Sequence, residues 1–467
     1  MKNREVAEPV STLKLLRELR LTDLVLFNIA ATLGPQLIPA FAHVGPVAIP
    51  LHIAASVLFF VPCVVVVANL SRRYPGEGGF YLWTKYAYGE PHAFLCGWCW
   101  WLSVLLFLPS LMLIGAGMLT QATGAGASAR MDDARWQVGI AVVILWFTVG
   151  SNILGLRFSK WLSNAGASMI YAGGALVLAA AIAVWVRYGS ATNFGFDKTI
   201  NLNRVSLWAQ IAFAYTGLEL GSLMGGEIRD PVRTIPRAAW MSAGAVTLGY
   251  VAGSWALMLV VAPENINPIS GLVQVASLAG ERLGLSYLGV LVAAVLFAGI
   301  VGKLSTWGGG AARLPLTVGM EGILPPMFTR LHARWKTPWV ALVVQGAVCS
   351  GFLVLTQAGE TVRSGWQLLM DMEILMAFLP YAYIFLTAGK FGQKWSGASG
   401  LLVTVIAMGM SLIPPENTAS VLQFEVKVIG GSALLVLLGW FAFIAGTRRK
   451  ALVLPQVIPR EGRSRIP

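Results

Sequence analysis

"FAYTGLELGSLMGGEIRDPVRTIP" runs from Phe213 to Pro236. Its first half is apolar enough to lie inside a membrane, yet it carries Glu219 between Gly217 and Gly221. Its second half ends in a burst of charge: Glu227, Arg229, Asp230 and Arg233. A carboxyl group at membrane depth is costly and marks a functional position. Glycines on both sides weaken the helix at the same place. The Asp230-Pro231 and Ile235-Pro236 pairs end one helix and start the next.

The composition supplies the setting. Of 467 residues 56% are hydrophobic and only 12% charged, and the mean hydropathy is +0.70. A soluble globule needs more polar surface than that. Segment 1–20 is polar and basic, and the apolar stretch from Leu21 lacks a small-residue cleavage site, so the first span is expected to stay in the bilayer. The four cysteines, Cys63, Cys96, Cys99 and Cys349, fall in or beside apolar runs. They suggest neither a disulfide framework nor a metal site.

Stretches near the roughly 20 residues needed to cross a bilayer fall at 22–40, 46–70, 91–122, 136–154, 164–187, 205–226, 237–262, 284–312, 338–357, 366–389, 397–413 and 428–446. The expectation is an all-α integral membrane protein with 12 transmembrane helices. With the N-terminus inside, the inner segments hold 25 of the 34 basic residues, the outer segments hold 8, and Lys303 remains in mid-span. Both termini are therefore expected in the cytoplasm. The net charge of +13 is read as topology plus contact with anionic membrane lipid, with no nucleic acid partner.

Two spans are expected to break. In "FNIAATLGPQLIPAF" (Phe27–Phe41) Pro35 has no N–H, and Gly34 before it tolerates unusual dihedrals. The sixth span has Gly217 and Gly221 around Glu219. Interrupted helices at corresponding places of two halves are how inverted-repeat transporters build a midplane site.

The chain resembles the amino acid-polyamine-organocation (APC) transporters of amino acid permease type along nearly its whole length. The resemblance is carried by "YPGEGGFYLWTKYAYGE" (Tyr74–Glu90), by "FAYTGLELGSLMGGEIRDPVRTIPRA" (Phe213–Ala238), and by "ARLPLTVGMEGILPPMF" with the "KTPWVA" that follows. It implies a LeuT-type fold with a five-plus-five inverted repeat in which helices one and six are broken. The implied division is a cytoplasmic N-terminus (1–21), a first repeat (22–187), a second repeat (205–389), two additional helices (397–446) and a cytoplasmic tail (447–467). It implies secondary active transport of an amino acid across the inner (plasma) membrane by alternating access, proton-coupled or by exchange and sodium-independent. No enzyme activity, cofactor or metal is expected. A polyamine or other organic cation is the alternative substrate, and a transport-inactive sensor is the alternative of a different class.

The resemblance also implies site residues. Thr32, Leu33 and Gly34 match the run whose amides grip a substrate carboxylate in relatives, although Pro35 removes one donor. Tyr215, Gly217, Glu219 and Trp307 complete the expected substrate site. Glu219, Lys303 and Asp371 are expected to handle coupling, protons included, with Lys303 standing in for a cation or pairing with Glu219, Asp371 or Glu373. Glu227, Arg229, Asp230 and Arg233 are read as a cytoplasmic gate. Asp371 and Glu373 are two residues apart, about 200° around a helix, so only one can face the bundle. Asp371 is expected inward, on the face continued by Leu375 and Phe378, and Glu373 toward the outer interface.

Overall fold

In a computed structural model, residues 17–124, 130–131, 133–195, 208, 211–268, 270–355, 362–411, 422 and 426–453 are described. Helices dominate, and the extended pairing among them is a single bridge between Leu19 and Ile228. Nine helices among the described residues are long and apolar enough to cross a membrane. Their apolar faces pack on one another, and helices suit a membrane because each backbone polar group is bonded within its own segment.

The first span is interrupted. Helix α1 (Leu21–Thr32) stops, Leu33 and Gly34 are extended, a 3₁₀ turn follows at Pro35–Leu37, and α2 (Ile38–Ala42) resumes. α3 (Ala48–Arg73) contains one turn of π-helix at Ser56–Phe60. It ends with Arg72 and Arg73 in its last turn, where the helix dipole favours cations. The stretch Tyr74–Glu90, expected as a loop, contains a ten-residue helix, α4 (Gly79–Tyr88). α5 (Glu90–Ala122) is almost wholly buried and forms the axis of the bundle.

α6 (Ala134–Ile153) and α7 (Leu156–Tyr188) follow, the latter starting eight residues earlier than the apolar run at 164 suggested. Residues 211–214 are helical, the chain turns at Tyr215–Gly217, and Leu218–Glu227 continues as a 3₁₀ helix. α8 (Pro231–Val260) is followed by an unexpected short helix, α9 (Gly271–Leu283). Then come α10 (Leu288–Ala311), α11 (Arg313–Met320), α12 (Trp339–Leu355), α13 (Val362–Lys390), α14 (Lys394–Ser411) and α15 (Gly431–Val453).

α7 and α10 touch backbone to backbone. A Cβ on Gly166 would lie 2.5 Å from the Gly302 Cα, and one on Gly302 would lie 2.4 Å from the Gly166 Cα. Small residues at such crossings are the usual means of close helix packing in membranes. The contact positions the next residue along α10, Lys303, against α1.

Candidate functional site

The break in the first span frees carbonyls that a continuous helix would have bonded. The Lys303 Nζ donates to three of them: Ala30 O at 3.0 Å, Ala31 O at 2.6 Å and Leu33 O at 3.2 Å. An ammonium has three N–H bonds to give, and all three are used. The negative end of the α1 dipole adds to the attraction. Trp307, one turn further along α10, donates its indole N–H to the same Ala31 O at 2.9 Å. Tyr250 of α8 closes the remaining valences. Its hydroxyl lies 2.9 Å from Thr32 O and 2.9 Å from Ala214 O, and it accepts the Gly34 N–H at 2.8 Å.

The second break turns on Gly217, whose φ of +110° suits glycine. A Cβ there would sit 3.0 Å from Trp307 Cζ2 and 3.1 Å from Ala31 O. The two interruptions are therefore in contact. The Gly217 N–H points at Tyr381 Oη, 2.8 Å away, and at Glu219 Oε2, 3.0 Å away. Trp100 donates its indole N–H to Glu219 Oε1 at 2.9 Å, and the Tyr381 hydroxyl donates to Oε2. Glu219 thus accepts from three donors in three parts of the chain.

Between the breaks lies a cavity of about 10 Å³, the space of about one water. Glu219 and Glu373 line it, together with the rings of Trp100, Phe107, Phe213, Trp307 and Tyr381. Trp100 and Trp307 stack with centroids 6.1 Å apart, and the Lys303 Nζ sits 5.9 Å from the Phe107 centroid. This arrangement is aromatic and lined by two carboxyl groups, and it suits a cationic group held over ring faces.

Toward the end of the bundle where α1 begins, Glu227 forms a buried two-pronged pair with Arg313: Nη2 to Oε1 at 3.0 Å and Nε to Oε2 at 3.1 Å. Arg313 also donates to Gly309 O. The Leu19 N–H donates to Glu227 O at 3.1 Å, and the Arg229 N–H to Leu19 O at 2.9 Å, pinning the segment before α1 against the 3₁₀ helix. Asp23 in the first turn of α1 accepts from Lys160 at 3.2 Å and from Asn164 at 2.9 Å. From the loop before α4, Glu77 Oε2 accepts the Gly226 N–H at 2.6 Å, while its Oε1 is buried without a partner. Burial, then the neighbouring Glu227 carboxylate, push the Glu77 carboxyl up to about 8 against the pull of Gly226 and Arg313.

Several expectations are corrected. Tyr215 faces away from the cavity: its hydroxyl reaches His52 O at 3.3 Å and its ring packs on Phe60 and Tyr250. The Leu33 and Gly34 amides are not free for a carboxylate, because the first donates to Ile29 O at 2.8 Å and the second to Tyr250. The Thr32 hydroxyl is buried and unpartnered. Of the four charges expected at a gate, Glu227 alone makes a buried ion pair. Arg229 donates to Arg17 O at an exposed position, and Arg233 and Asp230 meet 3.8 Å apart on the surface. Lys303 makes no ion pair among the described residues, because the carbonyls satisfy it instead.

Glu373 does not reach an interface. It is 5% exposed and lines the cavity. The side chain of Asp371 lies outside the described residues. Glu373, Ala377 and Tyr381 are each four apart and share one face of α13, a repeat that would have found both Glu373 and Tyr381. Trp100, Tyr250 and Arg313 were also missed, since aromatic and basic residues in apolar runs carry no local sign of their partner, and so was Glu77, whose partner Gly226 is 149 residues away.

A sequence profile of the amino acid permease family matches residues 19–419. The chain belongs to the amino acid permease family. An uncharacterised transporter of Legionella pneumophila is 24% identical over 90% of this chain and 96% of its own length. A probable agmatine/putrescine antiporter of Lactococcus lactis is 20% identical over 82% of this chain and 85% of its own. A serine/threonine exchanger of Bacillus subtilis is 22% identical over 83% and 86% respectively. The crystal structure of MhsT in complex with L-phenylalanine superposes with a TM-score of 0.61, covering 92% of this permease and 99% of MhsT, at 14% identity. The permease therefore has the LeuT-type fold and is a multi-pass membrane protein.

Proposed function

We propose that this permease is a secondary transporter that carries a small amine-bearing organic solute by alternating access, without sodium. The observation that carries this reading is the triad of bonds from the Lys303 Nζ to the carbonyls of Ala30, Ala31 and Leu33. Carbonyls freed at a broken helix are the groups that would otherwise collect a metal cation. Here a fixed ammonium on α10 supplies the positive charge, so the first break holds its shape with no ion from solution.

The substrate would sit between the two breaks, over Trp307 and Trp100, where the space that Glu219 and Glu373 line holds only about one water in this closed arrangement and must widen as the bundle opens. Access from one side is closed by the Glu227–Arg313 pair and by Asp23 with Lys160. The basic-residue asymmetry supports a cytoplasmic location for that side and for both termini, in what we read as a plasma or inner membrane. An amine or polyamine suits a cavity lined by two carboxyl groups, in agreement with the probable agmatine/putrescine antiporter of Lactococcus lactis. The second reading, an α-amino acid, is favoured by the unpartnered Thr32 hydroxyl, which is free to donate to a carboxylate, and by the name of the Bacillus relative.

Uptake and counterflow of labelled amino acids and amines in proteoliposomes test the proposal. The expected result is accumulation or exchange of at least one of them at a rate unchanged within twofold when sodium is replaced by potassium. A steep sodium dependence would overturn the role of Lys303, and no flux of any solute in the panel would overturn transport.

A further inference from the structure

The two carboxyl groups of the cavity differ in how they are satisfied. Glu219 receives the Trp100 indole, the Gly217 amide and the Tyr381 hydroxyl. Glu373 Oε2 is buried in the same space with no hydrogen-bond partner. Burying an acceptor unpaired is costly, and a carboxylate so placed stays charged only with a cation against it. The titratable groups that face Glu373 among the described residues are Glu219 and Tyr381 in the cavity wall and Lys303 on α10, which acts on it electrostatically. Lys303 is held by its three carbonyls and cannot leave them to pair with Glu373. With Lys303 protonated and both acids ionised, the site carries one net negative charge. One positive charge, either a proton or a monovalent organic cation, makes it neutral.

We propose that Glu373 is the carboxylate that pairs with the substrate ammonium, and that proton and organic cation compete for it, so that the permease exchanges one for the other. This rests on the transport reading above and narrows it to a cationic amine. The step balances: the protonated carboxyl of Glu373 releases its proton to solution, and the ammonium of the amine takes its place against the carboxylate, with no covalent bond to the amine formed or broken. The aromatic faces of Trp100, Trp307 and Phe107 hold the rest of the cation. Glu219 keeps its three donors throughout and shapes the second break. A zwitterionic amino acid would leave the site with its net charge uncompensated, and the break offers its carboxylate neither the Leu33 nor the Gly34 amide.

The test uses the full chain, in detergent and in proteoliposomes, with the monoamines phenethylamine and butylamine as probes and L-leucine as the zwitterion. Wild type is expected to bind an amine with release of about one proton, read by a pH-indicator dye in weak buffer. Its affinity should rise up to tenfold per pH unit while Glu373 is the group being deprotonated. Glu373→Gln is expected to lose at least tenfold in amine affinity and to lose the proton release, whereas Glu373→Asp keeps the release. Wild-type affinity and pH profile in Glu373→Gln, or amine binding to wild type without proton release, would overturn the proposal. Proton release is read on wild type, so the proposal stays testable even if the glutamine variant folds poorly. Sodium-independent flux of L-leucine in preference to the amines would leave transport standing and sink this inference, whereas no flux of any probe would sink both.

Discussion

At the scale of single residues, the two ionisable groups that the sequence singled out are held by unlike means. Glu219 collects three donors. A glutamine there offers one acceptor oxygen in place of two and turns an N–H₂ toward groups that already donate. Glu219→Gln is therefore expected to lose about 1–3 kcal/mol of stability and to slow transport at least tenfold. Thermal melts and proteoliposome flux would check this, and a wild-type rate and pH profile would remove Glu219 from the mechanism. Lys303→Met strips three carbonyls of their common partner. Flux is expected to fall by tenfold or more, with a lower melting temperature. An unchanged flux would mean that the first break holds itself.

Whole elements meet at the closed end of the bundle. The 3₁₀ helix Leu218–Glu227 is joined to α11 by Glu227–Arg313 and to the loop before α4 by the Gly226 N–H on Glu77. Arg313→Met would leave Glu227 charged, buried and unpaired, which typically costs about 3–5 kcal/mol. Under the gate proposal a cysteine at Ser305, which lines the small space beneath this closure, would then react faster with a maleimide. The four native cysteines are buried and free, so the background is low. An unchanged labelling rate would argue against a gate.

The same contact carries a pH dependence of defined sign. The Glu77 carboxyl is raised from 4.5 to about 8 when the loop is packed, so the packed state binds a proton that the released loop gives up. Stability of the closed arrangement is full below about 4.5 and falls as pH rises toward about 8, by at most about 1.4 kcal/mol per pH unit. Labelling at Ser305→Cys, divided by the rate of a free thiol at the same pH to remove thiolate formation, should accelerate over that range with Glu77 present and stay flat in Glu77→Gln. The reverse slope would place the proton elsewhere.

For the molecule as a whole, the basic residues predict a single orientation. Reporter fusions are expected to place both the N-terminus and the C-terminus on the cytoplasmic side, following the 25 basic residues of the expected inner segments. A C-terminal reporter found outside would invert the topology and the side on which Glu227–Arg313 closes.

What the sequence determined by itself is what depends on the backbone near one residue. Apolar length marked nine of the twelve expected spans as helices long enough to cross a membrane among the described residues, and the stops at Gly34-Pro35 and at Gly217 were legible because a missing N–H and a positive φ act locally. The burial of Glu219 and Lys303 followed from their place inside apolar runs. Tertiary structure alone decided which side chain meets which. Lys303 and Ala31 are 272 residues apart, Glu227 and Arg313 are 86 apart, and Glu219 and Tyr381 are 162 apart. The inward acid of α13 was misjudged for the same reason: both faces of that helix carry apolar residues, and only packing shows that the Glu373–Ala377–Tyr381 face meets the broken spans. A buried polar group takes whichever donor the fold brings within about 3 Å, and that choice is made by helix packing, which no short stretch of chain records.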